Sequence, residues 1–157
     1  MYRRFVVLVV ILGLVTVGYP AKAKVNLEAE QAAVKTVLDD YVKSIVQEDM
    51  ALYGRIVSHD TTVVYFGTSE DPIQGWIALK PLIEAQNAAL SNTTIDVTDT
   101  RIKLSPSADF AWATSLWRFR AKAGDSALDL QVRCTWILEK QKDHWVIVHF
   151  HKSVASK

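Results

Sequence analysis

Past Asn26, the apolar residues Val34, Val37, Leu38, Tyr41, Val42, Ile45 and Val46 recur three and four positions apart. That spacing predicts an amphipathic helix laid against an apolar body, with Asn26 available as its cap. At roughly 100° per residue, Asp39 and Asp40 fall off the apolar stripe and are expected in solvent, while Tyr41 lies on it. A second short helix is expected over 50–53. The β-branched and aromatic run Thr61-Thr62-Val63-Val64-Tyr65-Phe66 then reads as a strand, broken by Ser69-Glu70-Asp71-Pro72. Gly75 closes the loop, and a helical pattern resumes over 76–90 with Ile77, Leu82, Ile83, Ala85 and Ala89 as apolar contacts. Pro81 is tolerated there only near the first turn; deeper, it should kink the helix.

Everything after Ser91-Asn92 alternates as strand. Four strands are predicted, over 93–104, 109–122, 127–140 and 145–153, separated by Ser-Pro-Ser, Ala-Gly-Asp and Gln-Lys-Asp turns. Helices followed by a strand meander define an α+β class, with the helices packed on one face of a curved antiparallel sheet.

Alternation also assigns faces. In the third of these strands Leu128, Leu130, Val132, Cys134, Trp136 and Leu138 face the helices, and Arg133 and Thr135 face away. In the last strand, Val146, Val148, Phe150 and Lys152 fall on the core side, and Trp145, Ile147, His149, His151 and Ser153 on the other. Both histidines therefore point away from the interior. With Arg133 and Thr135 they are expected to form a hydrogen-bonded band covered by a partner subunit.

The N-terminus changes the picture of where the chain works. Arg3-Arg4 precede an apolar run from Phe5 to Val17, and Ala21-Lys22-Ala23 supplies a small-residue cleavage site. Residues 1–23 are read as a signal peptide, since the run is short of the ~20 residues a spanning helix needs. An exported domain over 24–157, without a membrane anchor after cleavage, is expected. Removing Arg3, Arg4 and Lys22 from the 18 basic residues leaves 15 against 17 acidic ones, which argues against nucleic acid as a partner. The single cysteine, Cys134, excludes an intramolecular disulfide and a lipid-bearing cysteine behind the apolar run.

Candidate chemistry is sparse. His149 and His151 could chelate a metal from one strand, but no further ligand stands at motif spacing, so neither metal nor cofactor is expected. Cys134 lacks a neighbouring base on its own strand and reads as an inert buried thiol. His59, in the turn before the first predicted strand, reads as a capping or surface residue. Asp96 and Asp99 occupy opposite faces of a strand whose register is unclear between Thr98 and Arg101, so no inward general base is identified.

The stretch Trp145-Val146-Ile147-Val148-His149-Phe150-His151-Lys152-Ser153 closely resembles the closing strand of the calmodulin-dependent kinase association domain and of SnoaL-like proteins, members of the nuclear transport factor 2-like superfamily. Glu48-Asp49-Met50 with Tyr53 is similar to that family's acidic-aromatic turn, and Ile73-Gln74-Gly75 to the segment ahead of its next helix. The resemblance implies a cone-shaped sheet wrapped on a long helix, an internal pocket and dimers through the outer sheet face. It implies a pocket lined by Tyr41, Tyr53, Tyr65, Ser115, Trp117, Trp136 and Lys152. Where the association domain places carboxylate-binding arginines, the matching positions resemble Ser115, Cys134 and Lys152, and only Lys152 keeps a positive charge. Two functions stay open. One is a homodimeric module that binds a small apolar or weakly acidic molecule, or serves as an oligomeric scaffold; the other is an enzyme like ketosteroid isomerase or the polyketide cyclases, for which the base is missing. A lysine among core residues needs either an anion or an escape to solvent, and at a strand's end escape is expected to be easy.

Overall fold

In a computed structural model of the chain, residues 25–67 and 71–154 are described; the expected signal peptide lies outside them. Helix α1 runs Leu27–Val46, with Asn26 accepting a hydrogen bond from the Ala29 amide at 3.2 Å. Val34, Leu38, Tyr41 and Ile45 are its buried stripe, while Val46 is partly exposed at its end. Helix α2, Met50–Ile56, is capped by Asp49, whose carboxylate accepts from the Leu52 amide at 2.8 Å. The acidic-aromatic turn thus has a local cause: Asp49 satisfies the helix start and Tyr53, one turn on, enters the core.

The predicted strand over 61–66 is shorter than expected. Asp60 accepts from both the amide and the hydroxyl of Thr62, which turns the chain there, and only Val64–Tyr65 (β1) pair with Ile73–Gln74 (β2). Helix α3, Gly75–Ala89, then begins at a glycine with φ +70°. A Cβ there would sit 3.1 Å from the Thr61 backbone, so the close approach and the left-handed conformation both require glycine. Leu79 and Ile83 are buried, but Ile77, expected inside, is 81% exposed. Pro81 also lies on the exposed side, beside water that can satisfy a carbonyl left without its helical donor.

The sheet is a four-stranded antiparallel meander, β3 Ser91–Leu104, β4 Phe110–Ala123, β5 Ser126–Gln141 and β6 His144–Val154, in the order β3-β4-β5-β6. Its inner face carries Trp117, Val132, Cys134, Trp136, Leu138 and Phe150 against α1, α2 and β1 in one continuous core. The edge strand β6 is not left bare. Val57 and Phe66 bridge in parallel to Ile147 and His151, and the Phe66 amide donates to the Phe150 carbonyl at 2.9 Å.

The face assignment in β6 is corrected at its N-terminal half. Ile137 pairs with His149 but Leu138 pairs with Ile147, so Val148 is an extra residue, a β-bulge. The bulge reverses the alternation before it. Ile147, fully buried, and Trp145, 4% exposed, turn inward rather than joining the histidines. Phe150 and Lys152, beyond the bulge, keep the inward side, and His149 and His151 the outer one, as alternation predicts.

Candidate functional site

Between α3 and the inner face of the sheet lies a cavity of about 450 Å³, partly open to solvent. Leu79, Leu82 and Ile83 of α3 form one wall, and Trp117, Phe119, Leu130 and Val132 the other, with Phe150 and Lys152 from β6. The cavity exists because α3 makes few contacts with the long strands, leaving the inner face of β4 and β5 without a covering helix along that stretch. Among the described residues lining it, Lys152 is the one ionisable side chain, and none is Asp, Glu or His.

Lys152 is half-buried rather than free in solvent. Its Nζ lies 4.8 Å from the Phe150 ring centroid, 4.9 Å from Tyr41 and 5.3 Å from Trp117, so the ammonium sits among three aromatic faces. The backbone of Lys152 is tied to the neighbouring segment, its amide donating to the Phe66 carbonyl at 2.9 Å. Loss of hydration pulls the Lys152 pKa down to about 8, with a small opposing pull from Cys134. Cys134 stands directly across the ladder from it. Burial pushes the Cys134 thiol up to about 12, outweighing the nearby lysine, so it stays protonated at neutral pH.

Of the seven side chains expected to line the pocket, two line this cavity, Trp117 and Lys152. Tyr41, Tyr53 and Tyr65 are fully buried beneath it. Tyr41 packs at 5.4 Å on Tyr53, 5.8 Å on Phe150 and 6.2 Å on Trp136, and the Tyr41 and Tyr53 hydroxyls are 3.5 Å apart. Tyr65 donates to the Ser58 carbonyl at 3.2 Å. Burial raises the pKa of all three phenols, so they are neutral packing groups with internal partners. Ser115 and Trp136 lie further along the sheet and line a separate cavity of about 20 Å³ with Leu38 and Val42. That space has room for one water beside Ser115 Oγ and the Trp117 and Trp136 indole nitrogens, which have no protein partner. The sequence does not mark Leu79, Leu82, Ile83 and Gln86 as lining residues, because the apolar pattern of α3 is that of any packing helix and nothing in it marks a helix held off the sheet.

On the outer face, Arg133, Thr135, His149 and His151 lie on neighbouring strands, with Thr135 opposite His151. The hydrogen bonding differs. His149 Nδ1 lies 2.6 Å from the Val64 carbonyl, which can only accept, so this ring nitrogen donates to the covering segment rather than to Thr135 or Arg133. Phe66 meets the His149 and His151 rings edge-on, each at 5.7 Å, and Trp112 and Leu116 on β4 stand exposed on the same face. No group of three or more His, Cys, Asp or Glu residues able to hold a metal occurs among the described residues.

The remaining candidates lie outside the cavity. His59 is exposed, stacks on Trp76 at 4.3 Å and bonds to the Gly54 carbonyl at 2.8 Å. Asp96 pairs with Arg120 at 2.8 Å on the outer face. Asp99, at φ +50° within the β3 irregularity between Thr98 and Arg101, pairs with Arg101 at 3.1 Å.

A family model described as a SnoaL-like domain matches residues 34–157. Solved structures give the same fold at low identity. A proposed dehydratase of the nuclear transport factor 2-like family from Streptomyces avermitilis superposes with a TM-score of 0.76 at 12% identity, covering 84% of this chain and all of that one. A proposed ketosteroid isomerase from Shewanella frigidimarina gives 0.68 at 20% identity, covering 79% and 97%. A proposed calcium/calmodulin-dependent kinase association domain from Thiobacillus denitrificans gives 0.65 at 15% identity, covering 78% and 94%. No curated protein matches the chain.

Proposed function

Because the chain belongs to the SnoaL-like family of the nuclear transport factor 2-like superfamily, we propose that it is an exported binding module that holds a small apolar or weakly acidic molecule between α3 and the sheet. The observation that carries this reading is the apolar cavity of about 450 Å³ in which Lys152 is the one charged side chain among the described lining residues. Small-molecule sites are built this way, from an apolar wall for affinity and a few polar groups for orientation. A carboxylate placed at Lys152 would give the ammonium a counter-ion and would favour its charged form. Export is supported by Arg3-Arg4, the apolar run behind them and Ala21-Lys22-Ala23. Pairing of two copies through the outer sheet face is supported by the exposure of Phe66, Trp112 and Leu116 beside His151.

An isomerase or cyclase reading has one favourable observation, the enzymes proposed among proteins of the same fold. It lacks a base, since no carboxylate or imidazole lines the cavity among the described residues.

The test uses octanoate and octanol as probes, read by tryptophan fluorescence because Trp117 lines the cavity. Both should bind, and Lys152→Met should weaken octanoate by about tenfold, the value of one lost charge contact, while leaving octanol nearly unchanged. Equal octanoate affinity in the two proteins would remove Lys152 as the anchor.

A further inference from the structure

Lys152 presents an amine with unusual surroundings for a lysine. Its Nζ stands at an apolar cavity large enough for a small molecule, over the faces of Tyr41, Trp117 and Phe150, and no carboxylate pairs with it among the described residues. Lys35, Lys80 and Lys140 are instead held by Asp39, Glu84 and Glu30. Among the described residues, the ionisable groups that face Lys152 are Cys134, across the ladder on β5, and Tyr41, from α1. Both are neutral at physiological pH, so neither holds the ammonium as an ion pair.

We propose that Lys152 forms a reversible imine with the carbonyl carbon of an apolar aldehyde or ketone seated in this cavity. The inference rests on the cavity being a ligand site, and adds the covalent chemistry of the Lys152 amine. The lone pair of the neutral amine attacks the carbonyl carbon. A C–N bond forms and the C=O π pair moves to oxygen, which takes up a proton as the nitrogen releases one, giving a carbinolamine. Loss of that hydroxyl with a proton, as water through the open side of the cavity, leaves a C=N bond; amine plus carbonyl gives imine plus water, with no oxidant or reductant.

Three structural features favour the step at this lysine. Burial lowers the cost of the neutral, nucleophilic amine, as a pKa of about 8 expresses. The apolar walls hold an alkyl or aryl chain while excluding much of the water that would reverse the reaction. The protonated imine is itself a cation on the same nitrogen, so the ring faces around Nζ that accommodate the ammonium also accommodate the product.

The experiment incubates the purified full chain with octanal and sodium cyanoborohydride, which delivers hydride to an imine and leaves a stable secondary amine. Intact mass should show one octyl addition, mapped by peptide analysis to Lys152. It should form at least about tenfold faster than at any other lysine at pH 7.5, because a lysine of ordinary pKa is far less often neutral there. Lys152→Met and Lys152→Arg should both lose the fast addition, and excess octanol should slow it in the unmodified protein, a check that does not depend on a variant folding. Addition spread over surface lysines with Lys152 reacting no faster would overturn the proposal. If octanol and octanoate bind but octanal leaves Lys152 unmodified, the imine fails and the ligand site stands; if none of the three binds, both fail.

Discussion

Lys152 shows how one side chain can be read correctly for direction and wrongly for environment. Alternation along β6 aims it inward, and the structure agrees. What alternation does not contain is the approach of Tyr41 and Trp117, which places the ammonium among rings. Stability should register this. The unfolded chain binds the lysine proton more tightly than the folded one, so folding stability rises with pH between about 8 and 10.5; below 8 both states carry the proton and the folded state bears the full cost of a poorly hydrated charge. Lys152→Met is therefore expected to melt higher at pH 7, by the equivalent of about 1–3 kcal/mol, with the advantage shrinking as pH approaches 10.5. Paired thermal melts at the two pH values check both the sign and the window.

At the scale of elements, the joint between α1 and the β5–β6 hairpin depends on a polar contact that spacing does not announce. Glu30 accepts from Lys140 Nζ at 2.5 Å and from Trp145 Nε1 at 2.8 Å, and these bonds, Lys140 first, hold its carboxyl below the usual glutamate value. Trp145 reaches Glu30 only because the bulge at Val148 turns it inward. The sequence Trp145-Val146-Ile147-Val148 is apolar on every position and satisfies either alternation, so the bulge leaves no mark in the pattern. A depressed carboxyl pKa contributes stability that is present above the unfolded glutamate pKa and lost as pH falls through the folded one. Glu30→Gln should lower stability by about 1–3 kcal/mol at pH 7, as two hydrogen bonds lose their charged acceptor, and the gap to the parent should narrow in acid. Denaturant midpoints at neutral and acid pH measure it.

For the whole molecule, the two faces of the sheet divide the proposed roles: the inner one packs the core and walls the cavity, and the outer one carries His149, His151, Trp112 and Leu116. If two copies pair through that face, Leu116→Glu should shift the protein from dimer to monomer in light scattering without lowering its melting temperature, since Leu116 is 47% exposed and lies outside the core. A monomeric parent protein would remove the proposed interface. The α+β class, the helix-then-meander order, the Asn26 cap and the inward face of β5 were legible in the sequence, because each follows from the period of apolar residues or from the bonding of a neighbouring residue. The bulge in β6, the exposed side of α3 carrying Ile77, and the gap between α3 and the sheet were settled only in three dimensions. Each depends on how far one element stands from another, and local periodicity sets which face an element buries but not whether its neighbour closes against it.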